Sequence, residues 1–210
     1  MDTALNPTLI TRLDQLDLTR QYSYADYLLW KITERIELIR GWLFRMAAPN
    51  ATHQSIAQFI NTQLVRYFEG KPCMVFFAPF DVRLPIKGKT NEEILTVVEP
   101  DLCVICDLDK IEYSGCLGAP DLVVEILSPG NTKKEMKYKY EVYEEAGVRE
   151  YWAVHPNDKS VIKYVLDTNG QFIGSKHYYD GEMMPSTIFE GLEIDLTKVF
   201  SFKPKWATGE

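Results

Sequence analysis

Apolar residues recur along this chain at two different periods, and the switches between them mark out its elements. Tyr24, Tyr27 and Leu28 lie at helical spacing within Tyr22 to Lys31, behind Ser23 as a candidate cap, and predict a short helix. From Glu37 to Met46 the pattern predicts two short strands around Gly41, as a hairpin or a bent strand. Pro49 and Asn50 close that unit, and Ile56, Ile60, Leu64 and Tyr67 then predict a second helix over His53 to Phe68. His53 falls at the inner edge of its first turn.

From Cys73 onwards three stretches read as strand, CMVFFAPFDVRLP, TVVEPDLCVIC and APDLVVEILSP, with a polar loop from Lys87 to Glu93 between the first two. A helix over Lys133 to Ala146 stops at Gly147, the residue favoured in the left-handed position just past a helix end. REYWAVHP and SVIKYVL are further strands around the turn Pro156-Asn157-Asp158-Lys159, and Gly170 and Gly181 punctuate a β-rich C-terminal part. The order predicts a mixed α/β (α+β) domain: a central mixed β-sheet flanked by helices, with an N-terminal helix and hairpin as additions. Its expected extent is 22–200, with an N-terminal extension 1–21 and a C-terminal tail 201–210.

The 46% hydrophobic content of the 210 residues suffices for one substantial core. No run approaches the ~18 apolar residues needed to span a bilayer, and the N-terminal stretch lacks a basic region followed by an apolar one, so a cytoplasmic protein with no membrane partner is expected. A net charge of −7 argues against coating nucleic acid through bulk charge but leaves room for an acidic metal site. Cys103 and Cys106 form a C-x-x-C without a second ligand pair, and the three histidines are scattered, so all four cysteines are expected as buried free thiols.

The candidate chemistry centres on DLVVEIL. As a strand it places Leu122, Val124 and Ile126 on one apolar face, and Asp121, Val123, Glu125 and Leu127 on the other. Glu125 amid apolar neighbours is costly unless it is paired in a salt bridge or bound to metal. Asp101 and Asp121 each follow a proline at the start of an apolar strand. If the strands pair with Asp101 beside Glu125, their oxygens could share one Mg²⁺. Lys139 lies within the apolar arc of its helix, where it either pairs with Glu135 four residues earlier or delivers an amine towards the carboxylates. Such a lysine would orient or help deprotonate the attacking water in phosphodiester hydrolysis.

Several short motifs occur together: Pro100-Asp101, Glu125 to Pro129, Lys139 with Tyr143, Ala146 to Val148, and Tyr151-Trp152. ELIRG, AAPNATHQ and FDVRLP precede them. In this order they resemble the Uma-two family of the PD-(D/E)XK, restriction-endonuclease-like superfamily, over roughly Tyr22 to Leu196. Leu127 occupies the superfamily's usual lysine position, and Arg40 and Glu135 depart from the family's common residues.

The resemblance implies a restriction-endonuclease-like core in which Lys139 supplies the displaced lysine and Glu37 joins the acidic cluster. It implies a metal-dependent endonuclease with Glu37, Asp101, Glu125 and Lys139 as catalytic residues, and with Asp101 and Glu125 holding Mg²⁺ or Mn²⁺. His53 and Asp121 are secondary candidates; a capping or core role is open for His53. Glu37 could also complete the coordination or bind a second ion. The expected partners are nucleic acid, DNA first, and a second copy of the chain in a homodimer. Tyr178, Tyr179, Phe189 and Phe200 are available either for that surface or for the core. An inactive binding or assembly protein on the same fold is the alternative.

Overall fold

The computed structural model describes residues 9–85, 90, 93–128 and 133–203, so most of the expected Lys87–Glu93 loop lies outside the described residues. The chain forms α1 (Tyr24–Leu28), the hairpin β1 (Ile36–Ile39) and β2 (Trp42–Arg45), and the long helix α2 (Ala51–Phe68). Next come β3 (Met74–Phe77), β4 (Val82–Arg83), β5 (Val97–Val98), β6 (Leu102–Ile105), β7 (Ile111–Glu112), β8 (Gly115–Leu117) and β9 (Leu122–Ile126). Helix α3 (Lys133–Ala146) leads into β10 (Glu150–His155), β11 (Ser160–Leu166) and β12 (Phe172–Tyr179). The pair β13 (Met183–Pro185) and β14 (Glu193–Asp195) and the short α4 (Leu196–Val199) complete the described fold.

The main sheet has the order β12-β11-β10-β9-β6-β3. It is mixed: β9 and β10 run parallel, connected through α3, whereas β6 runs antiparallel to β9. Leu122 and Val124 are fully buried, and with Ile126 they pack on Ile56, Ile60 and Leu64 of α2. Val123 points to the opposite face, into a core shared with Val142 and Tyr143 of α3. Strand alternation thus places β9 near the centre of the sheet with helices on both sides, as its sequence predicts.

The β1–β2 hairpin is not an appendage. It belongs to a second six-stranded sheet of order β2-β1-β5-β4-β8-β7, where the sequence predicts a single sheet. Two runs that read as continuous strands each break and serve both sheets. CMVFFAPFDVRLP divides into β3 and β4, and TVVEPDLCVIC into β5 and β6. Pro100 has no N–H to give to a ladder, so the second run cannot continue in one sheet, and the break leaves Asp101 at the junction.

Two local expectations need correction, and one open alternative is resolved. Cys73 and Cys106 are joined in a disulfide, and among the four cysteines only Cys103 and Cys116 are free and buried. The cause is register: Met74 pairs with Ile105, so the residues flanking that pair face each other across β3 and β6. The first helix ends at Leu28 rather than Lys31, although Ser23 caps it as expected by accepting a hydrogen bond from the Asp26 N–H. Of the four aromatics Tyr178, Tyr179, Phe189 and Phe200, Phe200 is buried and Tyr178 and Phe189 pack against the same core, while Tyr179 is exposed.

Candidate active site

Glu125 lies on the face of β9 that looks towards α3 and is almost fully buried. Asp101 comes from the next strand. Continuing the antiparallel register beyond Leu102 and Val124 brings Asp101 opposite Glu125, and Asp101 Oδ2 accepts a hydrogen bond from the Ile126 N–H at 2.7 Å. Helix α2 begins behind Asn50, whose side chain accepts from the His53 N–H. That cap fixes the first turn of the helix, and from it His53 Nε2 lies 3.2 Å from Asp101 Oδ2.

Lys139 enters from α3. Its Nζ donates to Glu125 Oε1 at 2.9 Å and lies 2.9 Å from Glu37 Oε1 on β1. Tyr143, one helical turn later, donates its hydroxyl to the same Glu125 oxygen at 2.6 Å. Glu37 is only 1% exposed; its Oε1 also accepts from the Glu99 N–H at 2.8 Å, and its Oε2 is buried without a hydrogen-bond partner. The expected convergence of Asp101, Glu125 and Lys139 on one concave surface is therefore present, in a cavity of about 150 Å³ that His53, Arg35 and Arg45 also line.

Burial dominates the electrostatics. It raises the pKa of Glu37 and of Glu125, the latter to about 7, against the opposing pull of Lys139. Burial by itself would lower the Lys139 pKa, but Glu125 and Glu37 outweigh it and hold the amine protonated. His53 follows the same logic: burial lowers its pKa, the facing Asp101 and Glu125 raise it, and the net shift is upward. The cluster rests as an ammonium held between two carboxylates, with a third carboxylate and an imidazole alongside.

The donor set fits a hard divalent cation. Asp101 Oδ1 and Glu125 Oε2 accept no hydrogen bond from any described residue, and both residues line the cavity. Carboxylate oxygens suit Mg²⁺ or Mn²⁺. Among the described residues no three His, Cys, Asp or Glu converge as a ligand set, so water and a phosphate would have to supply the remaining positions, as is usual for Mg²⁺.

Glu37 does not join this pair. The Lys139 ammonium stands between its carboxylate and Glu125, which makes Glu37 a partner of the lysine rather than a ligand. Asp121 stands apart: four residues from Glu125 along the strand, about 13 Å, its oxygens accept from the Cys106 N–H and from Arg149. Arg40 reaches α3 through ion pairs with Glu141 and Glu145, so it docks the hairpin on that helix. Sequence reasoning overlooked Arg45, exposed at the end of β2 and without an ion pair to any described residue. No local signal marks it, because its place over the cavity depends on how the two sheets meet. Tyr143 was accessible, since it lies four residues after Lys139 on the same helix face.

The Uma2 family model, described as "Putative restriction endonuclease", matches residues 24–197. The chain is 23% identical over 154 residues to the uncharacterized protein slr1290 of Synechocystis, covering 72% of this chain and 77% of that one. A crystal structure from Anabaena variabilis, described as a putative nuclease belonging to DUF820, superposes with a TM-score of 0.67 at 19% identity. The match covers 85% of this chain and 97% of that one, and it shows a shared fold.

Proposed function

The chain belongs to the Uma2 family, and on that premise we propose that it is a divalent-cation-dependent nuclease hydrolysing phosphodiester bonds of nucleic acid. The observation that carries this reading is the meeting, in one cavity, of a carboxylate pair from adjacent strands with a buried lysine from α3. Asp101 and Glu125 would hold the cation. When bound, it would polarise the scissile phosphate and lower the pKa of a water molecule.

The chain's own groups then have distinct tasks. Lys139 has three N–H donors, of which Glu37 and Glu125 engage two, leaving one for a water or phosphate oxygen in the cavity. Because its amine is held protonated, Lys139 orients and stabilises charge rather than taking a proton. Tyr143 and Glu37 keep Glu125 and Lys139 in place, and His53 fixes Asp101. Arg45 at the rim offers a fork of donors suited to a phosphate.

The test incubates purified protein with Mn²⁺ or Mg²⁺ and single-stranded DNA, duplex DNA or RNA, beside Glu125→Ala. Cleavage that requires the cation and falls at least about a hundredfold in the variant is the expected result. Independently of turnover, Mn²⁺ should raise the thermal midpoint of the wild type and not of an Asp101→Ala/Glu125→Ala double variant. A protein that cleaves nothing and gains no stability from Mn²⁺ is a binding protein on the same fold.

A further inference from the structure

We propose that the groove beside Phe77 is a nucleobase-binding subsite, and that the substrate is therefore single-stranded or locally unpaired nucleic acid; this rests on the nuclease reading above. β3 is one of the two edge strands of the main sheet. Its alternation sends Phe76 into the interior, stacked on Phe80, and Phe77 to the α2 side, where it is 63% exposed. A phenyl ring so placed makes no use of burial.

The groove it borders has a volume of about 650 Å³, within the roughly 300–1,000 Å³ of small-ligand sites. Its walls combine aromatic and amide groups. Phe59, Phe77 and Phe202 offer rings, and Gln54, Gln58 and Asn61 follow one another along one face of α2. Asn61 Oδ1 is buried without a hydrogen-bond partner and could accept from a ring N–H or an exocyclic amine. No charged side chain lines the groove, which suits a neutral planar heterocycle and not a phosphate.

The position is equally specific. Gln54, Ala57 and Phe77 line both this groove and the carboxylate cavity. Phe77 pairs in register with Leu102, the residue after Asp101. A strand with its phosphate over Asp101 and Glu125 would carry the adjoining base to Phe77. In a duplex that base face is covered by its stacked neighbours, so only an unpaired base can take up this stacking.

The test uses the full chain in EDTA, without turnover, and oligonucleotides containing 2-aminopurine, whose fluorescence is quenched by stacking. Single strands should be quenched on binding the wild type and Phe77→Trp, and Phe77→Ala should bind about five- to a hundredfold more weakly, with an unchanged thermal midpoint. A duplex of the same sequence should give no quenching. Unaltered affinity in Phe77→Ala, or binding and metal-dependent cleavage without quenching, overturns the subsite and leaves the nuclease reading standing. Neither binding nor cleavage of any nucleic acid overturns both. Phe77-dependent self-association without quenching assigns the groove to a second copy of the chain and also overturns the proposal.

Discussion

Glu125 can be buried among apolar neighbours because Lys139 and Tyr143 donate to one of its oxygens. Both anomalies were legible as residues: an acid inside an apolar strand and a lysine inside an apolar helical arc. Asp81 is the opposite case. Burial first, and then the nearby Glu99, raise its pKa to about 6 against the pull of Arg83 and Arg35. A carboxyl whose folded pKa exceeds the unfolded value of about 3.9 binds more protons when folded. Its ionisation therefore penalises the fold fully above pH 6, and the penalty fades as pH falls from 6 towards 4. Asp81→Asn should accordingly stabilise the protein at pH 8 by on the order of 1–2 kcal/mol, after allowance for partial solvent screening. The gain over wild type should vanish near pH 4 in paired urea titrations; a gain independent of pH would refute the assignment.

At the scale of elements, periodicity located α2, α3, β9 and β10 because each is long enough to show its repeat. It failed where a strand is only two residues long, as in β4 and β5, and where a proline switches the chain between sheets. β10 also carries an unforeseen clamp. Glu150 is wholly buried; its Oε1 accepts from Trp152 Nε1 at 2.6 Å, and its Oε2 accepts from the N–H groups of Thr187 and Ile188 and from the Ser186 hydroxyl. One carboxylate thereby fastens the turn after β13 to the main sheet. A buried donor left without a partner costs about 1–3 kcal/mol, and here the Trp152 N–H is buried while the three donors of the turn are partly so, so Glu150→Ala should lose about 1–3 kcal/mol in denaturant unfolding. A loss below 1 kcal/mol would mean that water replaces the carboxylate.

For the whole molecule, the main structural fact is that two sheets meet at the site, each adding residues that the other lacks. The main sheet contributes Glu125 and the second sheet contributes Glu37, with Asp101 at the junction and Lys139 reaching both acids from α3. The Cys73–Cys106 disulfide ties the edge strand β3, and with it Phe77, to β6 across a sequence separation of 33. Closing a loop of that length restricts the unfolded chain by about 3–4 kcal/mol. Reductant should therefore lower the urea midpoint of the wild type to that of Cys73→Ser and leave that variant unaffected; equal midpoints with and without reductant would count against the bond. The faces of β9 and the inward arc of α3 were determined along the sequence, because alternation and helical spacing depend only on local chain geometry. Pairing was not. That Asp101 faces Glu125, that Cys73 faces Cys106, and that Glu37 shares Lys139 with Glu125 all depend on strand order and register between distant segments. Local periodicity carries no information about those, so tertiary packing alone decided them.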